Sequence, residues 1–223
     1  MNAPAAIVFD NDGLLCDTEE SWSRAEARLF ARYDHEWTDA HKREIMGSSG
    51  ERAGALLSSW LEQPGRDREL MAEVVELVHE EIAGGVDLRH GARDLLEALS
   101  AAGVPFALAS NSSRRFIDEV LDLAGIAGLL TVTVSAGEVA ASKPAPDVYL
   151  EAARRLGADP RRCLAFEDSP TGALAAKAAE MRVIGIPSVP GVALVPPADR
   201  ELPSLADPAV WEECGLGPAM PVL

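Results

Sequence analysis

The stretch Ala5-Ala6-Ile7-Val8-Phe9-Asp10-Asn11-Asp12-Gly13 decides how this chain reads. Five apolar residues end abruptly in acid, the pattern of a strand buried on both faces whose C-terminal end opens into solvent. In open α/β sheets that end is where ligands bind. Asp10 and Asp12 would point the same way if the strand conformation persisted, and two carboxylates so placed repel unless a cation or a division of labour reconciles them. Gly13 permits a sharp exit that a side chain would obstruct. Taken alone, the segment fits an ordinary turn as well, since Asp, Asn and Gly are common turn formers. A calcium loop of the EF-hand kind fails on spacing, because its glycine should be the sixth residue and here it is the fourth.

Similar apolar runs recur at residues 104–109, 131–134, 163–166 and 182–186. Between them, residues 92–102, 116–124, 148–156 and 173–179 carry apolar side chains at helical three and four spacing. Strands alternating with helices predict an α/β fold, a Rossmann-like parallel sheet with helices on both faces. One segment departs from the alternation. Residues 17–87 read as helix upon helix, with Trp22, Ala25, Leu29, Phe30 and Tyr33 on one face and Leu70, Met71, Val74, Val75, Val78 and Ile82 on another. The expected organisation is therefore an α/β core of residues 1–16 and 88–223 with an inserted α-helical cap domain of residues 17–87. The tail after Pro187 is rich in proline and glycine and is expected to wrap the core irregularly.

Composition narrows the function. With 223 residues, 48% apolar and 25% charged, the chain can bury a large core and is not disordered. Its 36 acidic and 20 basic residues give a formal charge of −16, which repels nucleic acid and anionic membrane surfaces. The insert alone holds 17 acids against 8 bases, which fits a solvated surface. Cys16, Cys163 and Cys214 lie far apart and suggest neither disulfides nor zinc, so a reducing cytoplasm is the expected compartment. No basic leader precedes the first apolar run, and the longest uncharged stretches are too short or too proline-rich to span a bilayer. The oligomeric state is not legible.

Three further groups sit at strand ends. Ser110-Asn111 follows the second run, placing a hydroxyl and backbone amides in the same crevice, suited to an anion, with Ser112 as the expected cap of the next helix. Lys143 lies in Ser142-Lys143-Pro144-Ala145-Pro146, one of three lysines against 17 arginines, where a fixed ammonium could neutralise phosphate and carboxylate together. Glu167-Asp168 ends the run at 163–166, and two acids directly after a buried strand suggest a hard cation. Magnesium fits, since it takes oxygen ligands and keeps waters or substrate phosphate in its shell.

The ordered set Asp10-x-Asp12-Gly13, Ser110-Asn111, Lys143 and Glu167-Asp168 resembles the four motifs of the haloacid dehalogenase-like hydrolase superfamily over nearly the whole chain. Asp17-Thr18-Glu19, His90-Gly91-Ala92-Arg93-Asp94-Leu95-Leu96 and Phe166-Glu167-Asp168-Ser169 are similar to its phosphatase and β-phosphoglucomutase-like branch, whose helical insert is called a type 1 cap. The resemblance implies that Asp10 is a nucleophile forming an aspartyl phosphate and Asp12 the general acid and base. It implies magnesium held by the Asp10 carboxylate, the Asp12 carbonyl and Asp168 with help from Glu167. It also implies phosphoryl oxygens stabilised by Ser110, Asn111 and Lys143.

The second acid, Asp12, argues against dehalogenase chemistry, where halide leaves without a proton. Phosphonate-cleaving relatives replace that aspartate and use a cap lysine, and Lys42 is the only lysine in the insert. Two departures bear on substrate. After Asp-Thr-Glu the chain has Glu20-Ser21-Trp22 where the mutase-like pattern often carries histidine. In Met46-Gly47-Ser48-Ser49-Gly50, Gly50 stands where sugar-phosphate mutases place an arginine for a second phosphate. The expected activity is thus a phosphatase acting on a small phosphorylated metabolite, with a phosphomutase of sugar phosphates as the alternative. A phospho-accepting signalling module of the receiver kind is a remoter one, because its acceptor aspartate follows the third strand, where this chain has Ser135 and Ala136.

Overall fold

A computed structural model describes residues 3–217. Its centre is a six-stranded sheet in the order β3-β2-β1-β4-β5-β6, every pairing parallel. The strands are β1 (Ala6–Phe9), β2 (Phe106–Ser110), β3 (Thr133–Ser135), β4 (Cys163–Glu167), β5 (Arg182–Gly185) and β6 (Arg200–Glu201). β1 is central, with Val8 opposite Ala107 on one side and Ala165 on the other. Its alternate side chains enter two different cores. Ile7 and Phe9 join Phe166, Ile184 and the leucines of α5 (Ala92–Ala101), with Phe116 and Ile117 of α6 (Arg114–Leu123). Ala6 and Val8 join Val148 and Tyr149 of α7 (Asp147–Leu156) and the alanines of α8 (Pro170–Ala178). A strand apolar at every position is what burial on both faces requires, and this is the Rossmann-like α/β architecture. Phe9 and Phe166 stack at 5.3 Å across neighbouring strands.

Between β1 and α5 come four helices, α1 (Glu19–Arg32), α2 (Asp39–Ile45), α3 (Gly50–Trp60) and α4 (Asp67–Ile82). α4 packs against both α1 and α3. Leu29, Leu70, Val74, Val78 and Ile82 are fully buried among them. Entry and exit of this insert are tied together, because Asp17 N–H donates to Asp87 C=O at 2.8 Å and Arg89 N–H to Leu15 C=O at 2.9 Å. A chain that leaves and returns at one point leaves the sheet undisturbed.

Two expectations are corrected. Ser113, not Ser112, caps α6, accepting from Phe116 N–H at 3.3 Å. The tail is more regular than its composition suggests, since it supplies β6 and a short helix α9 (Pro208–Glu213) that seats Val210 in the core. β6 pairs with β5 through backbone alone, Ile184 opposite Arg200 and Gly185 opposite Glu201, so side-chain pattern carries no trace of it.

Candidate active site

The strand ends converge. Asp10 follows β1 and its N–H donates to Phe166 C=O at 3.1 Å, so the parallel ladder carries it one residue beyond the strand and beside the end of β4. There one carboxylate oxygen from each of Asp10, Glu167 and Asp168 lies within 4.8 Å of the others, all three buried. Lys143, 3% exposed, places its Nζ 2.5 Å from Asp10 Oδ1 and 2.7 Å from Glu167 Oε1. Three carboxylates against one ammonium leave surplus negative charge out of water, which demands protons or a cation. Burial pushes the Asp10 carboxyl up to about 8; Lys143 opposes the rise, and the charges of Glu167 and Asp12 add to it. Asp168 is raised well above the ordinary range, first by burial and then by Asp10 and Glu167. Burial works against the charge of Lys143, but Asp10 and Glu167 hold it protonated above its usual range.

The all-oxygen donor set suits a hard divalent cation, and its members differ in availability. Glu167 is fully occupied. Its Oε1 accepts from Lys143 and from the Tyr149 hydroxyl at 2.5 Å, and its Oε2 accepts from Asp168 N–H, Ser169 N–H and Ser169 Oγ–H. Among the described residues, the Asp168 side chain accepts a hydrogen bond only from Ser188, at 2.6 Å to Oδ2. Asp10 and Asp168 are thus the carboxylates free to turn toward an ion, while Glu167 anchors Lys143.

Two glycines make the close approach possible. A Cβ on Gly13, at φ +79°, would lie 2.2 Å from Asp168 Oδ2, and one on Gly172 would lie 1.8 Å from Glu167 Oε1. Only glycine at the first turn of α8 lets Glu167 fold back over that helix.

Asp12 is held by hydroxyls. Its Oδ1 accepts from the Thr18 hydroxyl at 2.8 Å, and its Oδ2 from Ser110 and Ser112 hydroxyls at 3.3 and 2.7 Å. The Asp12 carboxylate is absent from the acidic cluster. Asn111 is a clasp: its Oδ1 accepts from Lys143 N–H at 2.8 Å and its Nδ2 donates to Gly47 C=O in the insert at 3.3 Å.

All the residues read as site candidates, namely Asp10, Asp12, Ser110, Asn111, Lys143, Glu167 and Asp168, gather at one rim of the sheet. All but Glu167 line a cavity of about 420 Å³ beneath the insert. Sequence reasoning missed Tyr149, Thr18, Ser112 and Ser188. Ser112 and Ser188 follow strand ends on the same rim and were findable by that rule; Tyr149 sits on the apolar face of a helix and reads as core.

A family model described as haloacid dehalogenase-like hydrolase matches residues 4–180. The chain belongs to that family, within its phosphatase and β-phosphoglucomutase-like branch. It is 35% identical over 191 residues to hexitol phosphatase B of Escherichia coli, covering 82% of this chain and 83% of the relative. It is 34% identical over 216 residues to the bifunctional riboflavin kinase/FMN phosphatase of Arabidopsis thaliana, covering 96% of this chain and 56% of that relative. The chain thus spans about half the length of that longer protein. Among solved structures, CbbY from Rhodobacter sphaeroides in complex with phosphate superposes with a TM-score of 0.79 at 30% identity, covering 92% of this chain and 96% of the other.

Proposed function

We propose that this phosphatase hydrolyses a small phosphorylated metabolite through an aspartyl-phosphate intermediate, with magnesium as cofactor and residues 17–87 as a substrate-selecting cap. One observation carries the reading: Asp10 and Lys143 meet at the ion-fit cluster while Asp12 is held separately by three hydroxyls. In this reading Asp10 attacks phosphorus, and the bond to the leaving oxygen breaks as Asp12 protonates it. Asp12 then takes a proton from the water that attacks the aspartyl phosphate, breaking the bond to Asp10 and releasing phosphate. Thr18, Ser110 and Ser112 hold Asp12 for both transfers. Lys143 and the amides near Ser110 and Asn111 offset the charge on the phosphoryl oxygens. Asp10, the Asp12 carbonyl and Asp168 would hold magnesium, whose charge lets one anion be attacked by another.

A mutase is disfavoured, since Gly50 offers no charge to a second phosphate and the same cavity is also lined by the acids Glu19 and Glu26. No helix among the described residues is long and apolar enough to cross a membrane, and the three cysteines are free and buried, which suits the reducing cytoplasm we propose. The test is phosphate release from an aryl phosphate and a metabolite panel. Magnesium should support turnover, excess EDTA should abolish it and added magnesium should restore it; turnover indifferent to EDTA overturns the metal assignment.

A further inference from the structure

Tyr149, near the start of α7, is fully buried in the apolar core that α7 and α8 share with Ala6 and Val8. Packing alone asks for no hydroxyl there, since phenylalanine would fill the same space without a polar group to desolvate. The hydroxyl donates to Glu167 Oε1 at 2.5 Å, the same oxygen that accepts from Lys143 Nζ at 2.7 Å. The ring of Tyr149 also lies against that ammonium, with Nζ 4.9 Å from its centroid. That is inside the roughly 6 Å reach of a cation–π contact. One side chain thus touches both members of the Glu167–Lys143 pair.

The hydroxyl is not needed to place Glu167. Three donors on Oε2, namely Asp168 N–H, Ser169 N–H and Ser169 Oγ–H, fix that carboxylate from the other side. Its effect falls on Lys143, which bridges two carboxylates, Asp10 at 2.5 Å and Glu167. A carboxylate oxygen whose lone pairs serve two donors gives neither of them its whole charge. With the hydroxyl gone, Oε1 would belong to Lys143 alone and draw the ammonium away from Asp10. Lys143 and Asp10 line the cavity and Tyr149, among the described residues, does not, so the phenol acts on that wall only through its neighbours.

We infer that Tyr149 is a positioning residue: by sharing Glu167 Oε1 and supplying a ring face to Nζ, it holds Lys143 between Asp10 and Glu167, poised toward the phosphoryl group. This rests on the phosphatase reading of the site, and it assigns Tyr149 no contact with substrate.

The test compares wild type with Tyr149→Phe, which keeps the ring and removes only the hydroxyl. On an aryl phosphate at saturating magnesium, kcat should fall at least about tenfold while KM rises no more than about threefold, in line with the loss of a partner that orients an acting group. A kcat within about twofold of wild type, or a loss expressed mainly in KM, overturns the inference. Unaltered kcat with a lower melting temperature would mark Tyr149 as packing alone. Calorimetric titration with inorganic phosphate separates this inference from the reading it rests on. If wild type hydrolyses nothing yet binds phosphate at least about threefold more tightly than Tyr149→Phe, the phosphatase reading fails and the positioning role stands. Equal phosphate affinity in the two proteins, or none in either, then overturns both.

Discussion

Glu167 touches no solvent, yet five donors converge on it, and its position sets that of Lys143. The absent side chain of Gly172 makes the room. Gly172→Ala would drive a methyl into the carboxylate, displacing Glu167 and freeing Lys143 from one of its two partners. Phosphate release should drop at least about tenfold, with a melting temperature several degrees lower, since overpacking costs about 1–3 kcal/mol. Glu26 supplies a second test at this scale. Burial pushes its carboxyl up to about 8, Glu19 adds to the rise and Lys42 opposes it. A folded-state value above the ordinary 4.5 means the native protein binds the extra proton, so stability is fullest below that value and declines as pH rises toward 8. Glu26→Gln removes this dependence, and differential scanning calorimetry should show a larger gain in melting temperature at pH about 8 than at pH about 5.

At the scale of elements, the insert meets the core through α1, α4 and α6. Trp22 packs on Phe116 with centroids 5.3 Å apart, His79 Nδ1 lies 2.5 Å from Glu119 Oε2, and Arg115 pairs with Glu76 at 3.0 Å. Phe116, in ring contact with both Trp22 and His79, is the apolar centre of this set and also lines the cavity. Phe116→Ala should cost about 3–5 kcal/mol in chemical denaturation and raise KM more than it lowers kcat, because the insert loses its seat while the strand-end groups stay in place. Sequence periodicity found these elements where burial leaves a mark. β1, apolar throughout, and β4, apolar up to its terminal Glu167, lie within one residue of where the pattern places them. β2 begins two residues later than its apolar run, since Val104 and Pro105 belong to the loop that Ile7 N–H pairs with. β6, two exposed charged residues, is defined by backbone pairing alone and leaves nothing to read.

For the whole molecule, the candidate site was legible because a parallel sheet forces its ligands to one rim, so acids, a serine and a lysine after successive strands must meet. What stayed hidden depends on three-dimensional approach. That Glu167 anchors Lys143 follows from five donors, one of them on a helix 18 residues away. That Ser112 serves Asp12 follows from a cap shifted by one residue. Glu19 and Glu26 line a cavity that exists only once the insert lies over the rim. The most direct test is phosphate release by Asp10→Asn at saturating magnesium on the best substrate of the wild type. Turnover should fall by roughly 10³-fold or more, in line with the loss of a nucleophile, with the circular dichroism spectrum and oligomeric behaviour unchanged. A folded Asp10→Asn protein that releases phosphate at a rate near wild type would contradict the assignment of Asp10, and with it the chemistry built on the cluster.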